Sequence, residues 1–270
     1  METQNGNTLT VLCKLLKDRF GSKAIRLYEA GGGSTSWLPK ELSERATVVV
    51  VDIDETQIRN NTYAHQKILG DIQSTEFPPN SFELVVCYNV IEHLSSPDDA
   101  IRLFRDALVP GGVLLIGAPH PRSFSGLAAR YTPHWFHVWF YRAILHCRNA
   151  GEPGAPPFPV VFHRIVDPDE LRAFCKEVGL RLVAYSSYEW TGYRKIREAW
   201  PLLGSILNSF NAILSTLARD HRDLSHGDYH IAFERPVARL PSDRAVQPAH
   251  ISDQARDGSR AVESPEQNGR

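Results

Sequence analysis

An acid, three glycines and a second acid are spaced as a nucleoside site requires. Glu29-Ala30-Gly31-Gly32-Gly33-Ser34 places a carboxylate just before a turn, and glycines there allow positive φ and let a ligand reach the backbone. Asp52 follows 23 positions after Glu29, at the end of an apolar run. Its two acceptor oxygens, with no donor, suit the paired hydroxyls of a ribose, and Ile53 flanks it. Two ligand classes use such a layout. A dinucleotide site asks for Gly-x-Gly-x-x-Gly beside a pyrophosphate. Counted from Gly31 the third glycine position holds Ser36, and counted from Gly32 the second holds Ser34. S-adenosylmethionine is the other class; it carries an amine, a carboxylate, a sulfonium and a ribose. An acid at position 29 attracts that amine and would repel a pyrophosphate, so charge favours the sulfonium nucleoside over NAD.

Further along, Leu69-Gly70-Asp71-Ile72 offers a carboxylate to an adenine amino group and Ile72 to the face of its ring. The run His134 to Tyr141 is almost wholly aromatic. Three readings of it stand open: a lid over a planar or lipophilic acceptor, a helix lying at a membrane interface through residues 134–148 with Arg142 and Arg148 reaching outwards, or core of an enlarged cap. His134, His137, His146 and Cys147 lack the close ligand pairs of a zinc site.

The sequence also shows how these groups are brought together. Apolar β-rich runs recur at Ile25–Tyr28, Val48–Val51, Leu84–Cys87 and Val113–Ile116, with helix-compatible stretches between them such as Glu55–Asn61 and Pro97–Leu108. Ser96-Pro97-Asp98-Asp99 opens the latter with an N-cap residue, a proline at the first helical position and acids in the first turn. Continuous Val/Leu/Ile runs predict strands covered on both faces, hence a parallel sheet with crossover helices. Sheets of this kind bind ligands at the carboxyl ends of their strands. The glycine turn is expected to lead straight into a helix whose N-terminus favours anions. Beyond Gly117 the rhythm breaks. It resumes with a helix at Pro168–Val178, a strand at Leu180–Tyr185, a helix at Leu203–Leu217 and a closing strand at His230–Phe233.

In this order the motifs resemble class I S-adenosylmethionine-dependent methyltransferases, and most of all the branch that holds the ubiquinone and menaquinone biosynthetic enzymes. Glu29 to Ser34 is similar to that family's acid-x-Gly-x-Gly motif, and Asp52 to its ribose acid. Gly70-Asp71 resembles the adenine position, Tyr88-Asn89-Val90-Ile91-Glu92-His93-Leu94 the motif after strand four, and Pro110-Gly111-Gly112 the turn before strand five. The resemblance covers about 25–118 and 168–185. It implies a Rossmann-like, doubly wound α/β sheet of seven strands, mostly parallel with an antiparallel last strand. It also implies a cofactor held by Glu29, Gly31, Gly32, Gly33, Ser34, Asp52, Ile53, Asp71, Ile72 and Asn89. Thr35 departs from the family, standing where many members have another glycine. Asn89 stands where the ubiquinone O-methyltransferases have a metal-binding Glu, so no metal is expected.

Methyl transfer needs the acceptor in line with the methyl carbon, and that alignment alone supplies ~7–11 kcal/mol. A hydroxyl acceptor also benefits from a base, for which His93, His120 and His163 are the candidates. The Asn-Pro-Pro-Tyr pattern of enzymes that methylate DNA amines or protein glutamine is missing after strand four. The expected acceptor is therefore a small lipophilic or aromatic metabolite methylated on oxygen. The contrasting reading is a catalytically silent module of the same fold that docks a partner.

Composition agrees with an enzyme of this kind. The chain has 270 residues, 42% hydrophobic and 23% charged, with 30 basic and 31 acidic side chains, so a nucleic-acid partner bound by phosphate neutralisation is not expected. The start of the chain has neither the cationic nor the apolar part of a secretory signal, which together with four scattered cysteines (Cys13, Cys87, Cys147, Cys175) predicts a reduced, cytoplasmic protein. A methyltransferase domain is expected over 1–235, with cap insertions at 119–165 and 187–225. Residues 236–270 contain no Phe, Trp or Tyr and are expected to form a disordered tail.

Overall fold

Val48, Val49, Val50 and Val51 occupy one strand and are all buried, which is possible only where both faces of a sheet are covered. The computed structural model of the chain describes residues 14, 16–36, 38, 40–152, 157–158, 160–161, 163–217 and 224–237. Seven strands make one sheet: β1 (Ile25–Ala30), β2 (Ala46–Asp52), β3 (Gln66–Leu69), β4 (Phe82–Tyr88), β5 (Leu108–Pro119), β6 (Arg181–Glu189) and β7 (His226–Glu234). Their order is β3-β2-β1-β4-β5-β7-β6. The first five strands pair in parallel, and β7 runs antiparallel between β5 and β6. This is the doubly wound sheet with an antiparallel last strand that the sequence implies.

Eight helices connect or flank the strands among the described residues: α1 (Lys40–Ser43), α2 (Glu55–Asn60), α3 (Pro97–Ala107), α4 (Phe124–Tyr131), α5 (His134–Ala143), α6 (Pro168–Glu177), α7 (Thr191–Ala199) and α8 (Pro201–Leu217). Alternation along each strand divides the core in two. On one face Tyr28, Val85, Leu114 and Phe233 pack with Ile101 and Phe104 of α3 and with Leu171 and Cys175 of α6. On the other, Leu27, Val50, Leu84 and Leu115 pack with Leu16 and Leu42. Cys87, Cys147 and Cys175 are free thiols. No helix among the described residues is long and apolar enough to cross a membrane.

Four local expectations are corrected. Among the described residues the glycine turn does not feed directly into a helix, because the next helical ones form the single turn α1 at Lys40. Ser96 stands at the N-cap of α3 but makes no side-chain cap bond; its backbone amide donates instead to Gln73 Oε1 at 2.6 Å. The Pro110-Gly111-Gly112 turn lies inside β5, kinked at Gly111 (φ 83°) and pinned to Arg235 by backbone bonds of 2.7 and 2.9 Å. Helix α7 was not foreseen, since its second residue is Gly192 and Pro201 follows its end. The tail expected at 236–270 falls outside the described residues from position 238 on.

Phe104 is 1% exposed and lies edge-on to Tyr28, centroids 5.7 Å apart. Phe104→Ala is therefore expected to cost about 3–5 kcal/mol in urea unfolding. A loss below about 1 kcal/mol would mean that this contact is not part of a closely packed core.

Candidate cofactor crevice and acceptor site

The turn after β1 is held open by its neighbours. Gly31 has φ 69° and Gly33 φ 57°, a region that costs other L-residues about 1–2 kcal/mol. A Cβ on Gly31 would lie 2.5 Å from a methyl of Val90, and one on Gly32 would lie 2.8 Å from Tyr63 Oη and 3.1 Å from Glu29 Cγ. The backbone is tied in place as well. Gly31 N–H donates to Val51 O (2.8 Å), Gly33 N–H to Asp52 Oδ2 (2.9 Å) and Ser34 N–H to Gln57 Oε1 (3.1 Å). Gly33 O accepts from Asn61 Nδ2 (2.7 Å).

Both acids converge on this turn. Glu29 is 2% exposed and accepts from Ser36 Oγ at 3.0 Å. Burial, followed by the charge of Glu29, holds the Tyr63 hydroxyl well above its usual range. Asp52 Oδ1 accepts from Asp54 N–H at 2.9 Å. Each Asp52 oxygen thus takes one backbone proton and keeps a second lone pair for a ribose hydroxyl.

At the adenine end both expected residues have local partners. Asp71 is occupied locally, with Oδ1 accepting from the Gln73 amide at 2.9 Å and both oxygens lying 3.1 Å from Gln73 Nε2. Ile72 is 4% exposed and belongs to the core, so it is not free to cover a ring. The apolar surface offered at this end is Ile53, 76% exposed. Asn89 directly follows β4 in the left-handed region (φ 53°), its amide bonded to Gly117 O at 2.8 Å. A strained non-glycine backbone beside the glycine turn marks a place where geometry was kept at a cost.

A second group of polar side chains lies at the ends of β4 and β6 and the start of β7. Tyr88 Oη and Tyr188 Oη are 3.1 Å apart, and His230 Nε2 lies 2.8 Å from the first and 3.2 Å from the second. Gly117 makes room for them, since a Cβ there would sit 2.5 Å from the Tyr88 ring. Burial lowers His230 to about 4, so the imidazole is neutral. Two carboxyls face the same region. Burial raises Glu92 to about 8, opposed by a backbone hydrogen bond and reinforced by Asp228; burial raises Asp228 to about 7. Glu92 Oε2 is buried with no hydrogen-bond partner. Glu92 is two residues beyond Val90, the side chain that packs on Gly31, which links this cluster to the crevice.

The three candidate histidines do not converge on one point. His93 Nε2 is 3.7 Å from Glu92 Oε1. His120 Nδ1 accepts from the Arg122 amide (3.2 Å) and His163 Nδ1 from the Ile165 amide (3.3 Å). In the neutral ring each of these two then carries its proton on Nε2 and has no lone pair left for a base. Glu92, Asp228, Tyr88, Tyr188 and His230 were not among the sequence candidates. The available signal was the polar alternation Asp228-Tyr229-His230 at the head of an otherwise apolar strand.

With this geometry in view, residues 29–116 match a family model described as a methyltransferase domain. Over 118 residues, 44% of the chain, the sequence is 23% identical to a ubiquinone biosynthesis O-methyltransferase of Azoarcus sp. (strain BH72), and the match spans 44% of that protein's length. The crystal structure of an S-adenosylmethionine dependent methyltransferase from Mesorhizobium loti shares the fold with TM-score 0.51 and 16% identity, covering 84% of this chain and 96% of that one. Residues 29–116 are similar to a methyltransferase domain, and the sheet around them has the fold of such enzymes. The fold alone does not settle the reaction, because the [4+2]-cyclase SpnF shares it too, with TM-score 0.50 and 16% identity over 84% of this chain and 81% of its own.

The residues of the crevice fit S-adenosylmethionine, the cofactor the sequence leads one to expect. Glycines leave a cradle that a Cβ would fill, Asp52 has acceptors to spare, and Glu29 gives the turn a negative charge that suits an amine. Gly31→Ala should weaken S-adenosylmethionine binding about tenfold, the cost of forcing a side chain into the left-handed region and against Val90. Adding Val90→Ala should recover part of the loss in calorimetric titration. Unchanged affinity in the single variant would show that the turn does not shape the site.

Proposed function

We propose that the chain transfers a methyl group from S-adenosylmethionine to the hydroxyl of a small lipophilic or aromatic metabolite. The observation that carries this reading is the buried carboxyl of Glu92, with the half-buried Asp228 near it, beside a crevice that suits a sulfonium nucleoside. S-adenosylmethionine, when bound, supplies a methyl carbon whose carrier leaves as a neutral thioether. The chain's own contribution is orientation and the fate of one proton. An acceptor oxygen forms the new C–O bond and gives up its proton to the Glu92–Asp228 pair. Burial pushes both carboxyls up, Glu92 to about 8 and Asp228 to about 7, so each can take a proton near neutrality. His93, beside Glu92, can pass that proton outwards. The aromatic segments 119–165 and 187–225 supply a lining for an apolar acceptor: Phe124 stacks on Tyr193 (5.8 Å) and Phe140 on Trp190 (5.7 Å). The likeness to the Azoarcus O-methyltransferase supports an oxygen acceptor.

Methyl-labelled S-adenosylmethionine incubated with the chain and a metabolite extract should give a labelled, extractable small molecule. Binding of the cofactor without any labelled product would favour the silent docking module. With the acceptor in hand, the rate should rise with pH through about 7 to 8, as the carboxyl pair loses its proton. Asp228→Asn and Glu92→Gln should each lower kcat by roughly 10²-fold and flatten that rise. A pH profile that neither variant alters would contradict the assignment of the base.

A further inference from the structure

Three helices turn apolar sides outwards. Helix α8 carries no charged residue, yet Leu202, Ile206, Phe210 and Ile213 are 84, 65, 50 and 57% exposed. Leu203, Ile206, Phe210 and Ile213 are spaced three, four and three apart, which sets them on one side of the helix. On α4, at the α4–α5 junction and on α5, exposed Leu127, Tyr131, Trp135 and Trp139 form a second patch. The two patches are continuous, because Phe210 stacks on Phe124 with centroids 6.2 Å apart, and Phe124 lies one turn before Leu127.

Charge says what covers this face. From Pro121 to Gly151 there are four arginines and no Asp or Glu. Arg122 is paired with Asp167 and Asp169, and Arg130, Arg142 and Arg148 of the same stretch are exposed. A second copy of the chain would bring these arginines against one another, and residues 236–270 hold no aromatic side chain with which to fill the band. Tryptophan and tyrosine beside arginine suit a bilayer interface, where rings lie at headgroup depth and cations meet anionic lipid.

We propose that α4, α5 and α8 form one face that docks in the plane of an anionic lipid bilayer. This extends the docking surface beyond residues 134–148 to include α8. The face lies on the acceptor side of the domain: Phe140 of α5 stacks on Trp190, and Trp190 Cβ would be 2.3 Å from a Cβ on Gly227, the residue before Asp228. Docking does not depend on the methyl-transfer reading.

The test is co-sedimentation of the full chain with vesicles of phosphatidylcholine, alone or mixed with phosphatidylglycerol. Binding should appear with the anionic mixture, weaken as salt rises and shift tryptophan emission to the blue. Leu202→Gln with Ile206→Gln should reduce binding about tenfold, as expected when two apolar side chains no longer enter the interface. Their high exposure should leave folding and S-adenosylmethionine affinity unchanged, and both are measured alongside. Absence of binding to anionic vesicles would overturn the proposal. So would a dimer, seen by light scattering, that the same two substitutions dissociate.

Discussion

The hydrogen bond from Gly33 N–H to Asp52 Oδ2 joins two strand ends 19 residues apart and fixes the shape of the crevice. Asp52 is the last residue of β2, and its other oxygen takes the Asp54 amide, so the side chain cannot swing away without releasing the turn. The turn in turn requires glycine at 31, because its φ is positive and Val90 fills the place of any Cβ. Sheet register does the rest. Ala30 pairs with both Val51 and Cys87, so Gly31, Asp52 and Tyr88 emerge side by side.

From that fixed point the structure extends towards the acceptor. Val90, wedged on Gly31, begins the short turn that carries Ile91, Glu92 and His93. The Glu92 carbonyl accepts from Val161 N–H at 2.8 Å, tying the insertion after β5 to the end of β4. β7 then enters antiparallel and brings Asp228 and His230 to the same end of the sheet as β4 and β5. A parallel final strand would have left those groups at the opposite edge. The antiparallel strand is therefore what brings Asp228 and His230 to the end of the sheet where Tyr88 stands.

Much of this was legible in the sequence, for definite reasons. A sheet covered on both faces forces unbroken runs such as Val48 to Val51, and a backbone with positive φ forces glycine at 31 and 33, so strands and cofactor turn both leave a local trace. Asp71 shows where such tracing ends: a Gly-Asp pair does not reveal that the acid also binds Gln73. The acceptor cluster leaves no local trace. Tyr88, Tyr188 and His230 lie 100 and 42 residues apart in the chain and meet only because β6 and β7 return to the sheet. Gly192 at the start of α7 hid a helix in a stretch that reads as irregular, and the helix after the glycine turn was overestimated because a strand-to-helix turn and a strand-to-loop turn use the same residues.

The central claim is that the crevice is shaped and charged for a sulfonium nucleoside and not for a phosphate-linked one. Titration calorimetry of the purified chain, with S-adenosylmethionine in one experiment and NAD in another, tests it most directly. The account predicts one S-adenosylmethionine bound per chain and no heat from NAD. Saturable NAD binding, or no binding of S-adenosylmethionine by the folded chain, would contradict it.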